Sequence, residues 1–131
     1  MTADEIAWTQ KLQSLDARRA RAFWALDLKV LDGVYVPGSS PWQADRALLS
    51  SYRDQQLRVQ GLRIQIDKAV ITRRTPTSIA LKTTDHLTGG QAVDRAGTIT
   101  RLPPGAPTTR LITLTISRPG QPWRIAAITD A

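Results

Sequence analysis

Apolar residues recur every three or four positions along the first part of the chain, which predicts a helix with one face packed on a core. Thr2 and Glu5 have the spacing of a capping box, so we expect the helix to begin there and to end near Ala25. Arg19 interrupts the apolar face. The other charged residues lie largely on the opposite side, where we expect them to be solvated: Lys11, Asp16, Arg18 and Arg21.

A short second helix is predicted over residues 28–32, because Asp27 is placed to cap it. Gly33 offers a left-handed exit from this helix. The chain is then expected to turn sharply at residues 37–39, where proline, glycine and serine follow one another.

A third helix is predicted to start at Ser40, with Ser40 as its cap and Pro41 at the first helical position, and to end near Gln56. We expect Asp45 and its charged neighbours to face water or each other. The apolar stripe of this helix is predicted to consist of Ala44, Leu48 and Tyr52, with Leu49 beside it.

From Leu57 the spacing of apolar residues changes to every second position, which is typical of strands buried on one face. An apolar run at 69–71 breaks the alternation and predicts a bulge or bend. Residues 91–102 fit either two short strands joined by a turn at 94–97 or one bulged strand. The clear alternating segments are 62–66, 79–87, 110–117 and 123–127.

Residues 15–40 carry a pattern that places this chain beside a known group. Leu-Asp-x-x-Arg, followed by Leu-x-x-Val-Tyr-x-Pro-Gly-Ser, resembles the N-terminal helices of the NTF2-like, or SnoaL-like, superfamily, in particular a subgroup of small bacterial domains. The resemblance implies an α+β fold in which three N-terminal helices pack on a strongly curved, mostly antiparallel sheet of four to six strands. It allows a homodimer through the sheet. We predict a single domain of this type over residues 1–131.

The composition of the chain excludes several kinds of site and segment. The chain has no cysteine and a single histidine, so a metal site is not expected, and nothing points to a cofactor. No apolar run has the length of a membrane span. The N-terminal residues lack the features of a signal peptide. Because related domains often follow a signal or an anchor, an extracytoplasmic place in a bacterial envelope protein is one expectation.

The net charge of +7 lies in residues 57–131, because the first 56 residues balance to zero. A nucleic acid or another anion on the basic strands is one interpretation, and a solvated outer sheet face is the other. Apart from Trp123, every aromatic residue lies in the helical part, so the strands lack the stacking side chains of single-strand binders. Nucleic-acid binding is therefore not expected.

Four residues are candidates for a pocket inside the cone. Asp85 shares a strand face with Ile79 and Leu81, so it is expected to project inward, either as a general base with a raised pKa or as a structural carboxylate paired with a neighbouring arginine. His86 points the other way. The remaining pocket candidates are Tyr35, Tyr52 and Trp123.

These observations favour a noncatalytic domain that binds a small apolar ligand or a protein partner. The alternative is a small SnoaL-like isomerase, cyclase or dehydratase with Asp85 as its base. An enzyme requires an open pocket and an unpaired Asp85. An interaction domain predicts instead a filled cone and an exposed apolar patch, for which Trp42 and Trp123 are the candidates.

Overall fold

The computed structural model describes all 131 residues. The first helix, α1, spans Ala3–Ala25. Its predicted capping box is confirmed: the Thr2 hydroxyl accepts the Glu5 N–H at 3.1 Å, and the Glu5 carboxylate accepts the Thr2 N–H at 2.9 Å. The helix ends at Leu26, which adopts a left-handed conformation with φ of 55°. Both predicted boundaries of this helix are therefore correct.

A 3-10 helix, Leu28–Gly33, follows, and Asp27 caps it as predicted by accepting a backbone N–H at 3.0 Å. The predicted left-handed exit at Gly33 is wrong, because the left-handed residue of this region is Leu26, at the end of α1. Gly33 serves close packing instead. A Cβ atom there would lie 2.9 Å from the Arg18 guanidinium, which donates to the Gly33 carbonyl at 3.3 Å.

The second α-helix, α2, spans Ser40–Asp54, and its cap is Ser39, one residue before the predicted cap Ser40. The helix begins earlier because the Ser39 carbonyl already accepts the Gln43 N–H at 2.9 Å. The Ser39 side chain makes no capping hydrogen bond, and its buried Oγ has no partner. The cap is thus provided by the backbone alone.

The buried face of α2 differs from the predicted stripe. Leu49 is fully buried and Asp45 is 9% exposed, whereas Leu48 is 40% exposed. Ala44 is also exposed. The prediction that Asp45 faces water is wrong, because this carboxylate has partners inside the protein that the helix pattern alone does not reveal.

Seven strands follow the helices: β1 Arg58–Gln60, β2 Ile64–Thr75, β3 Ser78–Leu87, β4 Gly90–Val93, β5 Ile99–Leu102, β6 Thr108–Thr115 and β7 Arg124–Asp130. They form an antiparallel sheet of four strands in the order β2-β3-β6-β7 and a smaller antiparallel sheet in the order β1-β4-β5. The predicted α+β fold, with N-terminal helices packed on mostly antiparallel strands, is confirmed. Of the two interpretations of residues 91–102, two strands joined by a turn is the correct one.

Strand β2 bends at two positions that flank the predicted apolar run. Its pairing with β3 shifts between Ile66 and Lys68, and again between Ile71 and Arg73. At the second shift the Glu5 carboxylate accepts the Ile71 N–H at 3.0 Å, so the start of α1 is attached to the bent strand. These bulges curve the sheet around the helices.

The hydrophobic core lies between the helices and the concave face of the four-stranded sheet. Phe23, Leu31, Leu81 and Leu114 are among its completely buried members. Strand β7 is attached to the segment before α2 by hydrogen bonds of Ile125 with the backbone of residues 34 and 36. No helix is both long and apolar enough to cross a lipid bilayer.

Candidate functional site

A cavity of about 430 Å³ opens between α1, the start of α2 and the concave face of the larger sheet. Its mouth is formed by the first turns of α2, where Ser40 and Ala44 are exposed. Its walls are mostly aliphatic. The side chains that line them include Leu12, Val34, Ile66, Ile112, Ile125 and Ile128. We call this space the main cavity.

A three-residue polar cluster forms part of the lining of the main cavity. The Arg19 guanidinium forms a two-point contact with the Asp45 carboxylate, with Nε–Oδ2 at 2.5 Å and Nη2–Oδ1 at 3.1 Å. The Tyr35 hydroxyl donates to Asp45 Oδ2 at 2.6 Å. Each residue comes from a different segment, so the cluster joins α1, the segment before α2 and α2 itself.

Arg19 and Tyr35 are each held in one protonation state. Burial alone would lower the pKa of Arg19, but the hydrogen bonds and the charge of Asp45 outweigh this effect and raise the pKa above its ordinary value. Burial, together with the charge of Asp45, also raises the pKa of Tyr35 well above its ordinary value. At neutral pH Arg19 is therefore a cation and Tyr35 an intact phenol, and neither is poised to exchange a proton.

Asp16 is a half-buried carboxylate of the main cavity with a single hydrogen-bond partner. One of its carboxylate oxygens, Oδ2, accepts the Ile64 N–H at 3.0 Å, and the other accepts no hydrogen bond within the chain. Burial raises its pKa above the ordinary value, although the Ile64 N–H and the charges of Arg19 and Arg110 act in the opposite direction. The prediction that Asp16 is solvated on the back of α1 is wrong, because this carboxylate lines the cavity.

A second cavity, of about 440 Å³, adjoins the main one. Arg19, Ile64 and Arg110 line both spaces and form the partition between them. Asp85 and Tyr52 line only the second cavity. The two guanidinium groups therefore lie where a molecule in either cavity could reach them.

Asp85 is buried, with 4% exposure, and is engaged by its neighbours. Its Oδ2 accepts the Thr83 hydroxyl at 2.6 Å and the Arg110 Nε–H at 3.1 Å. Arg110 lies on β6, the strand next to β3. Asp85 is therefore paired with an arginine of the neighbouring strand, as expected for a structural carboxylate. His86 also lines the second cavity, but its Nδ1 contacts Asp67 Oδ2 at 2.8 Å and not Asp85.

The four pocket candidates from the sequence are distributed over three places. Tyr35 lines the main cavity, and Tyr52 and Asp85 line the second. Tyr52 packs edge-on against Phe23, with ring centroids 5.8 Å apart. Trp123 lines neither cavity and packs edge-on against Trp8 at 4.8 Å.

Sequence reasoning missed the polar groups that define the main cavity, namely Asp16, Arg19, Asp45 and Arg110. One signal was available. Arg19 lies within the apolar face of α1, where an arginine is favourable only if it reaches an acidic partner. The identity of that partner depends on how both helices are placed on the 3-10 helix and the strands, which the pattern of either helix alone does not contain.

Comparisons with known proteins identify the fold. No protein-family model and no curated protein sequence matches the chain. Among solved structures, the intermembrane space region of the chloroplast protein ARC6 is similar over 99% of this chain and 98% of its own, at 11% identity, with a TM-score of 0.69.

Two bacterial structures give the same result. An NTF2-like superfamily protein from Salmonella enterica serovar Typhimurium covers 93% of this chain and 88% of its own, at 12% identity and a TM-score of 0.53. A protein from Catenulispora acidiphila, solved in complex with S-DNPA, covers 95% of this chain and 92% of its own, at 14% identity and a TM-score of 0.53. The chain has the NTF2-like fold, as its resemblance implied.

Proposed function

We propose that this chain is a noncatalytic ligand-binding domain whose main cavity takes a mostly apolar, uncharged molecule with one polar end. The observation that supports this proposal is the cavity itself. Its mostly aliphatic walls and the few polar groups among them match the usual composition of small-molecule sites. The Catenulispora acidiphila protein of the same fold holds S-DNPA, so the fold can accommodate a small molecule.

The charges around the cavity disfavour an anionic ligand. Arg19 and Arg110 are cations, and Asp45 and Asp85 balance them through direct contacts. Asp16 adds one further carboxylate, which forms no salt bridge. An anion would have to leave water without a free cation to pair with, which is costly in a partly buried site.

The unsatisfied hydrogen-bonding groups indicate what the polar end of the ligand carries. The Nη1 group of Arg19 and both terminal nitrogens of Arg110 donate to no acceptor in the chain, and Asp16 Oδ1 accepts from no donor. A hydroxyl can donate to the carboxylate and accept from a guanidinium at once. The ligand is therefore best described as an apolar body with a hydroxyl.

The experiment uses 4-phenylphenol as the probe, with biphenyl-4-sulfonate as its charged counterpart on the same apolar body. Ala44→Trp places a large side chain at the mouth of the main cavity, where Ala44 is exposed. Ala47→Trp is the matched control, because Ala47 is also exposed on α2 and lines none of the cavities described here. Binding is measured by thermal shift and by calorimetric titration.

We expect 4-phenylphenol to raise the melting temperature of the wild type and of Ala47→Trp, but not of Ala44→Trp. The sulfonate should bind at least about tenfold more weakly than the phenol, because an anion gains no free counter-ion in this cavity. Equal binding by the two tryptophan variants, or no binding by the wild type, would contradict the proposal.

The enzymatic alternative, with Asp85 as general base, receives less support. A base must be free to accept a proton from a substrate. Asp85 Oδ2 already accepts from the Thr83 hydroxyl and the Arg110 guanidinium.

The predicted exposed patches for a protein partner are also engaged within the chain. Trp42 donates its indole N–H to Asp32 at 2.8 Å, and the Arg46 guanidinium covers its ring at 4.7 Å. Trp123 is packed against Trp8. Neither tryptophan forms the open apolar surface that an interaction domain of that kind requires. Envelope attachment stays a prediction.

The convex face of the larger sheet argues against a homodimer through the sheet. By register, Lys68, Arg73 and Lys82 lie on the same face of neighbouring strands. None of the three forms a salt bridge. Two copies stacked through this face would bring these cations toward one another, which is unfavourable without anions between them.

A further inference from the structure

A third open space of about 1230 Å³ lies where α1 and α2 end, and shares no residue with the main cavity. Its floor and walls come from the end of α1, the start of the 3-10 helix, the end of α2, β1 and the turn between β4 and β5. Five basic residues line it. These are Lys29, Arg46, Arg53, Arg58 and Arg95. We call this space the basic groove and define it by these five residues and Trp24.

The basic groove has three more basic than acidic residues, five against two. None of its five basic residues takes part in a salt bridge. The groove contains two acidic residues, but their carboxylates are bound to backbone groups. Asp27 accepts the Lys29 N–H at 3.0 Å, and Asp94 accepts the N–H groups of Ala96 and Thr98, both at 2.9 Å.

The groove also presents apolar surface. Trp24 is 41% exposed, and the Arg58 guanidinium lies over its ring at 5.7 Å. Leu28 and Val93 add half-buried aliphatic side chains to the lining. A partner that fills this groove therefore has to combine negative charge with some apolar side chains.

The backbone of the groove is held in an unusual conformation. Leu26 and Gln56 are the two non-glycine residues of the chain with positive φ, at 55° and 53°, and both line the groove. Leu26 directly follows α1 and Gln56 follows the cap of α2, so each left-handed residue ends a helix at the groove.

We propose that the basic groove docks an acidic peptide segment of a partner protein, one that also carries aliphatic side chains. Charge complementarity determines the sign of the partner. A peptide is favoured over a single-stranded nucleic acid, because the groove lacks the row of aromatic side chains on which successive bases stack. The groove offers a single exposed aromatic ring, and Arg58 already covers it.

The test measures fluorescence anisotropy with a labelled twelve-residue peptide made of four Glu-Glu-Leu repeats. The double substitution of Arg53→Gln and Arg95→Gln removes two charges from the groove at exposed positions. The matched control, Lys68→Gln with Lys82→Gln, removes two charges from exposed positions on the convex sheet face. Both double variants have the same net charge.

We expect the groove variant to bind the peptide roughly tenfold more weakly than the wild type, and the control to change affinity less than about twofold. Trp24→Ser should weaken binding at unchanged net charge, because it removes the apolar contact. Equal losses in the two double variants would overturn the proposal, since binding would then follow net charge alone.

Two other outcomes also contradict the proposal. One is the absence of measurable binding by the wild type at low ionic strength. The other is tighter binding of a twelve-nucleotide single-stranded oligothymidylate than of the peptide, which would make a nucleic acid the partner of the groove. Thermal melts of all variants verify that the fold is intact.

Discussion

Replacing Asp45 by asparagine removes the charge that pairs with Arg19 in the wall of the main cavity. The Asp45 carboxylate accepts two hydrogen bonds from Arg19 and one from Tyr35, and the residue is 9% exposed. Removing one partner of a buried ion pair costs about 3–5 kcal/mol, because the other charge stays buried. The Arg19 side chain is 18% exposed, so some water reaches it, and we expect the lower end of this range.

A loss of about 3 kcal/mol corresponds to a melting temperature lower by about 11 °C for a chain of this length. The assay is thermal unfolding at pH 7, followed by circular dichroism. Tyr35→Phe is the graded control. It removes one hydrogen bond to the carboxylate and keeps the ion pair, so it should cost only about 1–2 kcal/mol.

A double variant separates the ion pair from the packing around it. Arg19→Met combined with Asp45→Leu replaces both charges by apolar groups, and such replacements are often neutral or stabilising. We expect the double variant to be more stable than Asp45→Asn alone. Our reasoning is refuted if the double variant loses as much stability as the sum of the losses of Arg19→Met alone and Asp45→Leu alone, because the two residues are then not coupled. It is also refuted if Asp45→Asn melts within about 2 °C of the wild type.

Two further carboxylates have predictions of opposite sign. Burial raises the pKa of Asp16, so its contribution to stability is fully present below the ordinary value of 3.8 and is lost as the pH rises through the folded pKa. Asp16→Asn should therefore melt above the wild type at pH 7, and this difference in melting temperature should shrink toward pH 3.5 in a series of melts. An Asn variant that melts below the wild type at pH 7 would contradict the raised pKa of Asp16. Asp85→Asn should instead lower the melting temperature at pH 7 by roughly 5–10 °C, because Arg110 loses its anion while Thr83 keeps an acceptor. A rise in melting temperature would indicate that Asp85 is a strained, functional carboxylate.

The elements that could be predicted from the sequence are those specified by local patterns. The capping box of Thr2 and Glu5 is formed within four consecutive residues, and the strand alternation reflects which side of each strand is buried. Where a local rule allowed two answers, tertiary contacts decided between them. The start of α2 lies at Ser39 rather than Ser40, and the left-handed residue is Leu26 rather than Gly33.

The candidate site was less accessible to sequence reasoning because its residues are far apart in the chain. Arg19 and Asp45 are separated by 26 positions, and each lies on a helix whose pattern assigned charged residues to solvent. Only the placement of both helices on the 3-10 helix and the strands brings these two side chains together. Asp85 is a contrasting case, because alternation along a single strand was sufficient to place it inside.

The distribution of charge shows why net charge per segment does not locate a binding surface. The excess of +7 lies in residues 57–131, yet three of the five basic residues of the groove, Lys29, Arg46 and Arg53, come from the half of the chain that is neutral by sequence. Of the seven acidic residues in that half of the chain, only Asp27 lines the groove. A positive surface can therefore arise from a neutral segment when the fold gathers its basic residues on one surface and places most of its acids elsewhere.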